Sequence, residues 1–304
     1  MTETISKIGL EQLLSGQVRY HEPMSRHTSW RIGGPAEILV EPSGLADIKT
    51  AVRYATEKKM PLTVIGNGTN LLVSDYGIKG MVLKLGSGLS EITIKDKTMT
   101  AGAGAKLFRL AAAARSAGMG GLEFISGIPG TLGGAVVMNA GAYGNSVGEV
   151  LEKVLVIDQS GQISCRKKED MIFGYRSSNL QESGLIILEA VLRGYPRDEK
   201  EIKEEMRNLR ENRRASQPLD YPNAGSVFRN PPGYSAGRLI EEAGAKGLKE
   251  GDAQVSEKHA NFIVNLGNAT AKDVINLIVK VQNIVDGKFG IKLHKEIKVL
   301  GEVF

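Results

Sequence analysis

The sequence predicts an α+β protein in which two lobes precede a separate C-terminal domain of about 100 residues. Three observations carry this prediction. Residues 36–65 read as strand, helix, strand. Two hairpin patterns, around Asp96-Lys97 and Ser160-Gly161, flank a glycine-rich stretch. A highly charged segment at 198–214 then separates these from a second βα pattern.

The elements follow in chain order. Residues 1–27 are expected to form a lead-in, helical and amphipathic over 1–20. From Thr28 the pattern changes, and 36–40 looks like a strand. Ile48, Val52 and Ala55 recur about one turn apart, so 45–59 reads as a helix that Pro61 closes. Residues 62–65 and 71–74 are strands on either side of a glycine loop, which completes a first lobe over 28–85. The second lobe, 86–197, opens with a hairpin at 91–94 and 98–101 and an alanine-rich helix at 105–117 that Gly118 ends. Strands at 154–158, 163–166 and 185–193 follow. Over 198–304 the expectation is a charged helix, a helix at 235–243, a strand at 261–265, a helix at 271–286 and a strand at 297–300. Thr270 suits the N-cap of the penultimate element and Gly287 its stop.

Composition excludes several classes. The chain has 304 residues, 41% of them hydrophobic and 24% charged, enough to fill ordinary globular cores. Net charge is +5, but acids and bases interleave and aromatics make up only 5%. No concentrated basic stripe suggests a nucleic-acid partner. No apolar run approaches a membrane span, and the first residues lack the pattern of a signal peptide. Cys165 is the single cysteine, so no internal disulfide can form, and a reducing, cytoplasmic setting is expected. No ligand-spaced cluster suggests a metal.

Glycine is concentrated where it can matter. Residues 118–148 hold ten glycines in 31 positions, with the core Ser126-Gly127-Ile128-Pro129-Gly130-Thr131-Leu132-Gly133-Gly134-Ala135 and then Asn139-Ala140-Gly141-Ala142-Tyr143-Gly144. Such a run lets a ligand touch the main chain and lets backbone N–H groups gather around an anion. The spacing matches neither the Rossmann nor the P-loop pattern. Either glycine segment alone reads equally as a tight structural turn. Together, Gly66-Asn67-Gly68-Thr69-Asn70 and residues 127–144 favour a dinucleotide.

Gly66-Asn67-Gly68-Thr69-Asn70-Leu71-Leu72 resembles the first FAD loop of p-cresol methylhydroxylase and vanillyl-alcohol oxidase type flavin domains. The second segment is similar to one branch of these, the UDP-N-acetylenolpyruvoylglucosamine reductase family, and the resemblance extends from about Thr28 to Gly301. It implies a two-lobed FAD-binding domain of the p-cresol methylhydroxylase type and a C-terminal α/β substrate-binding domain. It also implies noncovalent FAD, held by Gly66, Asn67, Gly68, Thr69, Asn70, Leu71, Gly127, Ile128, Pro129, Gly130, Thr131, Gly133, Gly134, Asn139, Gly141 and Ala142. Three further motifs match this family: Phe173-Gly174-Tyr175-Arg176-Ser177-Ser178, Asn223-Ala224-Gly225-Ser226-Val227-Phe228-Arg229-Asn230-Pro231 and Lys295-Glu296-Ile297.

By resemblance, Arg176, Ser226 and Glu296 form the catalytic trio, with Tyr175 and Asn230 as contacts for a UDP-sugar and NADPH as reductant in a shared pocket. The implied reaction reduces UDP-N-acetylglucosamine enolpyruvate to UDP-N-acetylmuramate, by hydride from flavin N5 to C3 and a proton from Ser226 to C2. These residue types suit that chemistry. An arginine can hold the substrate carboxylate at two points as charge develops, and Glu296 could supply a proton or orient that end. On their own, residues 223–226 read as a turn, and Arg176 and Glu296 read equally as surface charges. The family's longer branch adds a tyrosine-bearing capping loop between the arginine and serine motifs. Here residues 177–225 hold mainly a strand and the charged helix, so the chain resembles the shorter branch. A related FAD oxidase would lack the 223–228 block, and a noncatalytic nucleotide sensor would need no such trio.

Overall fold

The computed structural model of the chain describes residues 9–302. Two compact units divide it. Unit 1 takes the chain up to Tyr20, Ile38–Asn67 and Gly80–Glu211. Unit 2 takes His21–Glu37, Gly68–Lys79 and the chain from Asn212 onward. The units interleave along the sequence, whereas the expected segments 28–85, 86–197 and 198–304 run consecutively. Both expected lobes contribute to unit 1, while residues 28–37 and 68–79 go to unit 2.

The largest sheet of unit 1 is antiparallel throughout, in the order Ile163–Lys167, Leu151–Ile157, Ile186–Arg193, Thr98–Gly102, Ile92–Lys95. Its outer pairs are the two expected hairpins. Asp96 and Lys97 turn the second with φ of 49° and 59°, as a two-residue hairpin loop with both central residues left-handed requires. Ile186–Arg193 lies in the middle and is buried along nearly its whole length, which is why it reads as an apolar strand, interrupted by Glu189 alone before its last residue. The helix Leu45–Glu57 buries Ile48, Ala51, Val52 and Ala55, the stripe expected of one apolar helix face. These side chains join a core with Val40, Leu83, Leu110 and Val156.

One expectation fails here, and one strand is unexpected. Within the described residues the lead-in helix is only Leu10–Leu13; residues 1–8 lie outside them, and Gln17–Pro23 is a strand. The Asp47 carboxylate accepts hydrogen bonds from Ser15 N (3.0 Å) and Gly16 N (2.8 Å), which turns the chain out of the helix. The strand Ile78–Lys84 has no counterpart among the expected elements. Leu62 pairs in parallel with its Met81, and Gly80 adopts φ of +79° beside the Pro61 carbonyl.

Unit 2 has its own core, with Trp30, Leu72, Val227, Phe228, Ile263 and Leu277. The Trp30 indole donates to the Ile263 carbonyl at 2.8 Å. A meander of Lys249–Glu250, Ala253–Val255 and Ile263–Asn265 packs with the helix Ala271–Phe289. Thr270 caps that helix through a reciprocal box with Asp273, as expected. Its stop is not Gly287. The helix runs on to Phe289, and Gly290 closes it at φ of +66°, its N–H donating to the Asp286 carbonyl. Leu71–Val73 pairs in parallel with Lys298–Leu300, so the first glycine loop leads into a strand beside the chain's last one.

Candidate active site

In unit 1 the second glycine segment begins in a 3₁₀ turn, Glu123–Gly127, and ends in the short helix Leu132–Val137. Between them it lies along residues 103–107. Leu107 N donates to Gly130 O (3.1 Å), Leu132 N to Ala105 O (2.9 Å) and Gly133 N to Ala103 O (2.8 Å). The amides of Leu132 and Gly133 therefore serve the fold, and an anion cradle must use other groups of the segment. Two such groups stand out. Among the described residues, Ser126 Oγ and Thr131 Oγ1 are buried hydroxyl oxygens without a hydrogen-bond partner. A Cβ on Gly66 would lie 2.2 Å from Thr131 Oγ1, so the end of the first glycine loop that belongs to unit 1 meets the second segment there. Asn67 is the exposed neighbour.

Beyond the helix, Gly141–Ala142 and Asn145–Ser146 form a small hairpin. A second one carries Arg176: Gly174 pairs with Ser177, leaving Tyr175 and Arg176 as its tip. Arg176 has φ of +54°, a conformation that a non-glycine side chain adopts only where its surroundings hold it. Those surroundings are visible. Asn139 Nδ2 donates to Gly174 O (2.9 Å), Ser178 Oγ to Val137 O (2.6 Å), and Gln181 Nε2 to Arg176 O (3.2 Å) and Val137 O (3.3 Å). The guanidinium carbon lies 5.4 Å from the centre of the Tyr175 ring, and a Cβ on Gly141 would stand 3.3 Å from Arg176 Nη1. Arg176, Tyr175, Asn139 and Gly141 are thus gathered in unit 1 with Gly127–Gly134. Asn139, expected as a cofactor contact, spends its carboxamide on the arginine hairpin and on Gly148 N (2.8 Å).

Unit 2 gathers Gly68, Thr69, Asn70, Leu71, Ser226, Asn230 and Glu296. Gly68 has φ of +64°, and a Cβ there would fall 2.0 Å from His27 O, so glycine is demanded by the fold at this position. Asn70 Nδ2 donates to Glu296 O (3.2 Å), and Lys298 N to Asn70 O (2.9 Å). Ser226 follows a built turn. Asn223 accepts from Gly225 N (3.0 Å) and donates to Tyr221 O (2.8 Å) and Pro218 O (3.1 Å), while Ser29 Oγ donates to Asn223 O (2.7 Å). One residue on, Glu296 N donates to Val227 O at 2.7 Å, which puts the serine and glutamate segments side by side. Asn230 is exposed, and its Oδ1 accepts from Ala236 N (2.9 Å) at the start of the helix Ala236–Glu242.

Comparison with known proteins gives the family. Residues 217–300 match the model of the UDP-N-acetylenolpyruvoylglucosamine reductase C-terminal domain, and residues 36–165 that of an FAD binding domain. A UDP-N-acetylenolpyruvoylglucosamine reductase of Desulforamulus reducens is 50% identical over 96% of this chain and 97% of its own length. The chain belongs to the UDP-N-acetylenolpyruvoylglucosamine reductase family. The reductase of Clostridium tetani is 44% identical over 96% of this chain and 95% of its own. The crystal structure of the Thermus caldophilus reductase superposes with a TM-score of 0.81 at 37% identity, covering 95% of this chain and all of that one. Like the rest of this reductase family, the chain is an FAD-dependent oxidoreductase, with residues 36–165 as its FAD binding domain. The two unpartnered hydroxyls beside residues 127–130 fit such a cofactor, since a buried hydroxyl without a partner is costly until a ligand satisfies it.

Sequence reasoning missed the residues that hold the others in place: Gln181 behind Arg176, Ser29 behind Asn223, and Asn261 beside Val227 and Phe228. Ser29 and Asn261 act through contacts that reach across the chain and Gln181 through the backbone carbonyls of Arg176 and Val137, and no local spacing signals them.

Proposed function

We propose that the chain catalyses the NADPH-dependent reduction of UDP-N-acetylglucosamine enolpyruvate to UDP-N-acetylmuramate, in peptidoglycan precursor synthesis. The observation that carries this reading is the Glu296 N to Val227 O bond of 2.7 Å, which seats the glutamate beside the serine turn. FAD, when bound there, would supply the hydride that the enolpyruvyl C3 requires, with NADPH as the reductant. Residues 66–71, 127–131, 133, 134, 139, 141 and 142 are our candidates for holding it.

Arg176 takes the substrate carboxylate at two points and stabilises the charge that spreads into it from C2. Glu296 orients that end of the substrate. Ser226 donates a proton to C2, closing the addition. A serine hydroxyl is a weak acid in water, but the carbanion it meets is strongly basic and held at contact distance. Tyr175 and Asn230 are further candidates for the UDP-sugar. Both of these nucleotides, and the lone exposed Cys165, suit a cytoplasmic setting.

Ser226→Ala tests the reading. Reduction of the flavin by NADPH is expected to persist, while reduction of the sugar nucleotide falls by about 100-fold or more, the usual worth of a positioned proton donor. Equal loss in both half-reactions would remove the proton from Ser226.

A further inference from the structure

Asn261 lies just before the strand Ile263–Asn265 and is 4% exposed. Its main-chain carbonyl accepts from Val227 N at 2.8 Å. Its side chain accepts from Phe228 N at 2.9 Å through Oδ1 and donates to Phe228 O at 2.8 Å through Nδ2. One carboxamide thus gives Phe228 the pair of bonds that an antiparallel strand neighbour would give it. The Glu296 segment joins the same stretch. Glu296 N donates to Val227 O, Arg229 N donates to His294 O at 2.9 Å, and Phe228 and Lys295 form a bridge. The two residues that follow Ser226 are therefore bonded by Asn261, and the segment that carries Glu296 bonds Val227 and Arg229 on either side of Phe228.

We propose that Asn261 is a positioning residue that sets the placement of Ser226 against Glu296. The inference rests on the roles given to those two residues above. Without the side chain, Phe228 N–H and C=O lose their partners in a core where Phe228 is 2% exposed. The backbone must then shift next to Ser226, and a displacement of about 1 Å at a reacting group costs on the order of 100-fold in rate. Asn265 supplies a control. It is 2% exposed and bonded to Trp30 O, Gly267 N and Ala269 N, with none of these bonds reaching residues 226–228 or 294–296.

The experiment uses the FAD-loaded full chain, reduced by NADPH and then mixed with a concentration series of UDP-N-acetylglucosamine enolpyruvate, following flavin reoxidation in single turnovers. Asn261→Ala is expected to lower the limiting reoxidation rate by about 10- to 100-fold, with flavin reduction by NADPH unchanged. Asn265→Ala is expected to lower the melting temperature without slowing reoxidation. Wild-type reoxidation in Asn261→Ala, or equal slowing in Asn265→Ala, would overturn the positioning role. Ser226→Ala is run beside them. If it reoxidises at the wild-type rate, the proton-donor reading fails and takes this inference with it. If it is slow while Asn261→Ala is fast, only the positioning fails. Should Asn261→Ala not fold, Asn261→Asp keeps the acceptor for Phe228 N–H but loses the donor to its carbonyl. It is expected to slow reoxidation in the same direction, and a wild-type rate there overturns the proposal equally.

Discussion

Arg176 shows how much of a candidate residue's character comes from its neighbours. Its left-handed backbone is held by Gln181 on its own carbonyl and by Asn139 on Gly174, while Tyr175 lies 5.4 Å from the guanidinium. The sequence marks the arginine through the 173–178 motif but not Gln181, which acts through the backbone oxygens of Arg176 and Val137 and has no chemical signature of its own. The planar fork is what a carboxylate needs, and lysine lacks it. Arg176→Lys is therefore expected to reduce sugar-nucleotide turnover by about 10- to 100-fold, the worth of one or two charge-assisted bonds. Steady-state rates in the two proteins check this, and unchanged turnover would make Arg176 a surface charge.

Elements were legible where their pattern is local. The helix Leu45–Glu57 and the paired strands Ile92–Lys95 and Thr98–Gly102 follow from apolar spacing and turn residues alone. The lead-in strand Gln17–Pro23 was not legible, because what ends the preceding helix is Asp47, some thirty residues later. That carboxylate also accepts from Ser43 N and Oγ. Burial raises its pKa, but the bonds from Ser43, Ser15 and Gly16 outweigh burial and leave it below the usual aspartate value. A depressed carboxylate contributes stability that is fully present above its unfolded pKa of about 4 and is lost as pH falls through the lower folded value. Asp47→Asn is expected to be less stable at neutral pH and to lose stability less steeply below about pH 4. Denaturant unfolding across that range reads both effects, and parallel curves would contradict them.

At the scale of the whole molecule, the two cores belong to separate units that the chain enters more than once. Trp30 and Ile263, 233 positions apart, share a hydrogen bond in the second core, a pairing that no sequence window contains. The class of cofactor was nevertheless legible, because the two glycine segments and the arginine, serine and glutamate motifs are each local and occur in order. The glycines themselves proved to have mixed duties. Gly68 answers to the His27 carbonyl, and Gly133 lies bonded to Ala103, while Gly66 meets an unsatisfied threonine hydroxyl. The most direct measurement on the account as a whole is the absorbance of the purified chain through one catalytic cycle. The account predicts a yellow protein whose flavin bands bleach with NADPH and return on adding UDP-N-acetylglucosamine enolpyruvate, with UDP-N-acetylmuramate as product. A protein that takes up no FAD, or whose bleached flavin is not reoxidised by that sugar nucleotide in the absence of oxygen, would contradict it.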